Sequence, residues 1–150
     1  MSTQTGKTRV LFLCTGNSCR SQMAEGLLRE LAGNDFEISS AGISPTRVNP
    51  MAVRVMAEAA VDITSQRSKS VDEMIGKEFD YVITVCDNAR EACPVFPAAA
   101  KQLHWSFEDP AEATGTEEER VAVFRHVRDA ISERLGDFVG TMRGQSPPNG

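Results

Sequence analysis

Arg9-Val10-Leu11-Phe12-Leu13-Cys14-Thr15-Gly16-Asn17-Ser18-Cys19-Arg20-Ser21 is the stretch that decides the fold. Its first half is a short unbroken apolar run, the pattern of a strand buried on both faces of a parallel sheet. Its second half is a turn of small residues. A helical pattern follows from Ser21 to Ala32, with Met23, Leu27, Leu28 and Leu31 on one face and Gly33-Asn34 as the stop.

The remaining chain repeats the alternation. Phe36 to Ala41 predicts a second strand. Asn49-Pro50, a cap followed by proline at the first helical position, opens a helix to about Ala60. Ser70 with Glu73 fits a capping box for a short helix. Phe79 to Cys86 is a β-branched strand, and Lys101 to Trp105 a weaker fourth. Thr116 and Glu119 form a second capping box before a long helix with the stripe Val121, Phe124, Val127, Ile131, Leu135 and Phe138. Strands alternating with helices predict right-handed βαβ units and a three-layer α/β domain, with a four-stranded parallel sheet flanked by helices. Residues 1–143 are read as one domain and 144–150 as a disordered tail. In such sheets ligands bind beyond the carboxyl ends of the strands. Cys14 and Cys86 both fall there.

Composition narrows the function. The 150 residues carry a net charge of −5, which argues against a nucleic-acid or anionic-membrane partner. No apolar stretch approaches the roughly 20 residues of a membrane span, and Met1 to Lys7 is polar, so a cytoplasmic protein is expected. In that reducing setting the four cysteines, Cys14, Cys19, Cys86 and Cys93, read as catalytic or metal-binding rather than as structural disulfides. Zinc fits poorly. The paired cysteines are separated by four and six residues, where about two to four is usual, and Cys14 is committed to the turn. No metal and no cofactor are expected.

The turn reads as a cradle for a tetrahedral oxyanion. Thr15, Gly16, Asn17, Ser18, Cys19, Arg20 and Ser21 are the candidate binding residues. Successive N–H groups of a tight loop converge on one point, and the following helix N-terminus adds positive potential. Gly16 admits close approach, Asn17 tolerates the left-handed region, and Arg20 offers a planar fork for two oxygens. The same field, with a hydrogen bond from Ser21, favours the thiolate of Cys14. Cys19 reads as a small apolar residue at the helix start.

The run Cys14 to Gly26 resembles the signature of the low-molecular-weight protein tyrosine phosphatases, and more closely that of the thioredoxin-coupled arsenate reductases sharing their fold. Ser40-Ala41-Gly42, Val48-Asn49-Pro50 and His104-Trp105-Ser106-Phe107-Glu108-Asp109-Pro110-Ala111 carry the same resemblance, which covers about residues 8 to 138. It implies reduction of arsenate to arsenite for detoxification. Cys14 attacks the oxyanion, Cys86 attacks Cys14, and Cys93 attacks Cys86, leaving a disulfide for thioredoxin. The segment between Cys86 and Cys93 must then deform, since a disulfide needs Cα atoms within roughly 7 Å.

The resemblance also gives Asp109 a part in expelling hydroxide, with Glu108 the weaker candidate. Some related reductases bind potassium at positions matching Asn17, Glu25, Ser40 and Lys69. The lysine departs from that pattern, and its ammonium is expected to replace the ion. His104 and His126 read as structural and surface residues, and the chain as a monomer. Phosphate or sulfate should mimic arsenate in the loop. Two rivals remain at this point: a phosphotyrosine phosphatase, disfavoured by Pro110-Ala111 and the scarcity of aromatics, and a thiol redox sensor. Glutaredoxin and mycothiol are alternative reductants.

Overall fold

The computed structural model describes residues 7–87 and 99–142. Four parallel strands form one sheet in the order β2-β1-β3-β4, where β1 is Thr8–Cys14, β2 Phe36–Gly42, β3 Phe79–Thr84 and β4 Ala99–His104. Helix α1 spans Arg20–Ala32, α2 Pro50–Glu58 and α3 Glu117–Met142. Short 3₁₀ turns occupy Val71–Met74 and Pro110–Glu112. The β1 to β2 register sets Cys14 opposite Gly42, and the β1 to β3 register sets Leu13 opposite Thr84.

Alternation along β1 builds two cores. Val10, Phe12 and Cys14 face one side, where residues from all three α-helices pack with them. Leu11 and Leu13 face the other, with Ala41, Met74, Phe79 and Val82. Every residue from Val10 to Cys14 is buried, as expected of a central strand covered on both faces. At about 25 cal/mol per Å² of apolar area, this two-sided burial makes a polar change in β1 costly.

Several boundaries move from the sequence expectation. β3 ends at Thr84 rather than Cys86, because the chain leaves the ladder after one more bond, Val85 N–H to Leu13 O at 3.0 Å. β4 ends at His104 rather than Trp105, and α2 ends at Glu58, followed by Ala60 at φ 64. Leu31, expected on the buried face of α1, is 46% exposed; Ala24 and Ala32 hold that face with Met23 and Leu28. The Thr116–Glu119 box forms in both directions, at 3.1 and 2.8 Å. The Ser70–Glu73 box does not. Ser70 Oγ accepts from Asp72 N–H, while Glu73 pairs with Arg67. The expected tail, 144–150, lies outside the described residues.

Candidate active site

The strand order reverses direction at β1. The chain goes one way to β2 and the other way to β3, so a crevice opens at the carboxyl end of β1. Cys14 is the last residue of β1, and the loop to α1 fills that crevice.

The loop's carbonyls show how it becomes a cradle. Thr15 O accepts from Ser44 N–H (2.9 Å), Gly16 O from Thr46 N–H (3.1 Å) and Ser18 O from Asn49 N–H (3.0 Å). Asn17 O accepts from Gln22 Nε2 (3.0 Å) and Ser68 Oγ (2.6 Å). Cys19 O already takes Met23 N–H at 2.8 Å, as the first bond of α1. All five carbonyls are therefore turned outward and satisfied. Carbonyl and N–H of one trans peptide unit point in opposite directions, so the corresponding N–H groups turn inward. Asn17 N–H confirms the rule: it reaches the sulfur of Cys14 at 3.2 Å. Asn17 makes the bend at φ 50, within the left-handed region that Asn tolerates.

A directed chain of hydrogen bonds ends on the same sulfur. Lys69 N–H donates to Asn17 Oδ1 at 2.8 Å, which fixes the orientation of that amide. Asn17 Nδ2 must then donate to Ser21 Oγ at 2.8 Å. The Ser21 hydroxyl hydrogen is thus left for Cys14 Sγ, 2.9 Å away. Two donors thus converge on the Cys14 sulfur.

The cleft over Cys14 has a volume of about 260 Å³ and is walled by Thr15, Gly16, Ser18, Cys19, Arg20, Asp109 and Glu112. Asn17 and Ser21, expected among the binding residues, are wholly buried behind the loop and act on Cys14 from the rear. Arg20 is aimed by two partners: Nη1 donates to Phe107 O at 3.1 Å, and Nη2 lies 3.6 Å from Asp109 Oδ2. The other Asp109 oxygen accepts from Ala111 N–H at 3.0 Å, capping the turn that follows. Burial pushes the Cys19 thiol up to about 12, against a smaller opposite pull from Ser18. Cys19 is therefore held protonated and serves as a wall. Glu112 was missed in the sequence. Its signal was the spacing from Asp109, since positions i and i+3 of a 3₁₀ turn eclipse.

Cys86 is buried in the same apolar cluster as Cys14, Cys19 and Trp105. Cys93 lies outside the described residues. His104 Nδ1 sits 2.6 Å from Thr84 Oγ1, tying the ends of β4 and β3, and His126 is exposed. Behind the loop, the buried Glu25 carboxylate accepts from Ser40 Oγ at 2.6 Å and pairs with Arg29 and, at 3.9 Å, with Lys69 Nζ. Desolvation lowers the Lys69 ammonium, partly opposed by Glu25. Among the described residues, no helix is long and apolar enough to cross a membrane.

A parallel sheet with a nucleophilic cysteine, an oxyanion cradle and an arginine at its switch point defines an enzyme that attacks tetrahedral oxyanions through sulfur. The chain belongs to the low molecular weight phosphotyrosine protein phosphatase family, whose model matches residues 9–146, and within it to the arsenate reductases. It is 47% identical over 135 residues to the arsenate reductase of Oceanobacillus iheyensis, covering 90% of this chain and 97% of that protein. It is 48% identical over 132 residues to that of Bacillus subtilis, covering 88% and 95%. A solved arsenate reductase in its phosphate-binding state superposes with a TM-score of 0.77 at 31% identity, over 89% of this chain and 98% of that one. A thioredoxin-dependent arsenate reductase from Corynebacterium glutamicum gives 0.70 at 25% identity, over 97% and 66%.

Proposed function

We propose that this chain reduces arsenate to arsenite in the cytoplasm, through a relay of Cys14, Cys86 and Cys93 that thioredoxin regenerates. The observation that supports it is that Cys86, one residue past the last bond to β1, is buried in the same apolar cluster as Cys14. A phosphatase has no need of a second thiol there.

Arsenate enters the cradle as phosphate would, its oxygens facing the inward N–H groups and the Arg20 fork. The Cys14 thiolate attacks arsenic. An As–S bond forms, and a hydroxide leaves as water with a proton that Asp109 helps to deliver. Cys86, as a thiolate, attacks Cys14 Sγ. The S–S bond forms as the S–As bond breaks, and its electron pair stays on arsenic, which leaves as arsenite. Cys93 then attacks Cys86, expelling the Cys14 thiolate, the better leaving group. A dithiol reductant returns two electrons to the Cys86–Cys93 disulfide, and one structural neighbour, the thioredoxin-dependent reductase of Corynebacterium glutamicum, makes thioredoxin the first choice. Lys69, beside Glu25, supplies the positive charge that a potassium ion would otherwise supply.

The test is arsenate turnover with thioredoxin and its reductase for wild type, Cys14→Ser, Cys86→Ser and Cys93→Ser. All three variants should lose multiple turnover. Cys93→Ser should still release one arsenite per chain and end with Cys14 bonded to Cys86. Full multiple turnover by Cys93→Ser would refute the relay.

A further inference from the structure

We infer that Gln22 and Ser68 act as positioning residues that lock the Asn17–Ser18 peptide with its N–H facing the oxyanion. Of the loop carbonyls from Thr15 to Ser18, three are held by backbone N–H groups of the 44–49 segment. Among the bonds described for it, Asn17 O accepts only from side chains, Gln22 Nε2 at 3.0 Å and Ser68 Oγ at 2.6 Å. It is also the carbonyl of the loop's one left-handed residue, at φ 50. A turn at that position has an alternative in which the peptide unit rotates by half a turn. The Asn17 oxygen would then face the anion, and Ser18 N–H would face away. One cradle donor would become a repelling dipole.

The lock is itself held rigidly. Gln22 is completely buried. Its second amide hydrogen goes to Arg67 O at 2.9 Å, and its Oε1 accepts from Gln66 Nε2 at 2.7 Å. Gln66 Oε1 in turn accepts from the Arg29 guanidinium at 2.8 Å. A chain of aligned donors thus runs from a charged group to the Asn17 carbonyl. Each bond polarises the next, and two donors on that oxygen make the Ser18 N–H on the same peptide a stronger donor. Gln22 touches no substrate and lies outside the cleft lining. Its contribution reaches the anion only through this peptide.

The inference rests on the loop being the oxyanion site. The test is calorimetric titration with inorganic phosphate, with arsenate kinetics and the ¹⁵N–¹H resonance of Ser18 followed in parallel. Ser68→Ala and Gln22→Met should each weaken phosphate binding and raise the arsenate KM about five- to tenfold, the usual worth of a hydrogen bond, and kcat at saturating arsenate should fall less. The Ser18 amide should lose its downfield shift on phosphate addition. Gln22→Glu sets a carboxylate against two carbonyls at neutral pH and regains a donor when protonated. Its phosphate Kd relative to wild type should therefore approach one as the pH falls, a response that a packing role would not give. If Gln22→Met fails to fold, Ser68→Ala, at a partly exposed position, carries the measurement. Folded variants that bind phosphate as wild type does, or a pH-independent ratio for Gln22→Glu, overturn the lock. Failure of wild type to bind phosphate overturns the cradle and the lock with it.

Discussion

Gly42→Ala should disable the enzyme without touching a reacting group. Gly42 ends β2 directly opposite Cys14. A Cβ there would stand 2.6 Å from Thr15 O, 2.9 Å from Asn17 N and 3.0 Å from Cys14 O, all backbone atoms of the cradle. Ordinary contact begins near 3.4 Å, so the closest pair must separate by about 0.8 Å. Gly42 cannot retreat freely, because its N–H is bonded to Lys69 O at 2.9 Å. The cradle must therefore give way, and moving Thr15 O strains its bond to Ser44. Overpacking of this kind costs about 1–3 kcal/mol, or a Tm lower by roughly 2–12 °C for a domain of this size. Misplacing a reacting geometry by a sizeable fraction of an ångström costs on the order of 10²-fold in kcat/KM. Arsenate kinetics and thermal melts of Gly42→Ala, beside Gly136→Ala, give the comparison. At Gly136 in α3 nothing lies within 4 Å of the new methyl. That change should stabilise by about 0.5–1 kcal/mol and leave kinetics alone. A folded Gly42→Ala with wild-type kcat/KM would refute the reasoning.

Other consequences are simpler to read. Cys19→Ala should retain arsenate turnover within about threefold, because a thiol pushed up to about 12 supplies no nucleophile at neutral pH; complete loss of the Cys14–Cys86 exchange in that variant would give Cys19 a redox part. Potassium should not raise wild-type activity, whereas Lys69→Gln, which leaves Glu25 and Ser40 in place, should make activity rise with added potassium but not with a larger quaternary cation. Glu58, bonded through Arg125 at 2.8 and 2.9 Å, has its carboxyl lowered to about 2. A depressed carboxyl stabilises the fold above its unfolded value near 4.5 and loses that contribution as pH falls toward 2. Glu58→Gln should therefore flatten the fall in Tm between pH 4.5 and 2 at low salt, and the difference should shrink in high salt.

The sheet and the cradle were legible because both are written locally. An unbroken apolar run, a small-residue turn and a helix occupy consecutive residues from Arg9 to Ala32, and each part has a physical reason to follow the last. The cysteine and arginine of the cleft came from the same stretch. What the sequence did not disclose is support supplied from a distance. Ser44, Thr46 and Asn49 donate to the loop, Gln22 and Ser68 hold Asn17, and Gly42 leaves the space. Asn49, Gln22 and Gly42 fall within stretches read as motifs, but not one of the six was read as a support of the loop, because the donors' partners are backbone carbonyls that any residue possesses. The end of β3 was misplaced for the opposite reason. Val85 and Cys86 are apolar like the strand before them, but they serve the buried cluster at the mouth and not the ladder. Leu31 shows the limit of periodicity. α1 packs through Ala24 and Ala32 against its neighbours, and the wide side chain at 31 falls past the edge of that contact.

The geometry also explains how one loop can serve either phosphate or arsenate chemistry. Both reactions begin with sulfur attacking a tetrahedral centre gripped by N–H groups and a guanidinium, so the cradle imposes no choice. On the relay proposed above, the choice lies just past the end of β3. Val85 N–H takes the last bond to β1, at Leu13 O, and residue 86 follows it into the buried cluster that holds Cys14. A thiol at that point can take over the sulfur–sulfur bond and leave an electron pair on the bound centre, which arsenic accepts and phosphorus does not. A carbon or oxygen side chain could do nothing with the adduct except wait for water. The reductive outcome proposed here therefore rests on what stands at residue 86, in the buried cluster beyond β3, and not on the cradle.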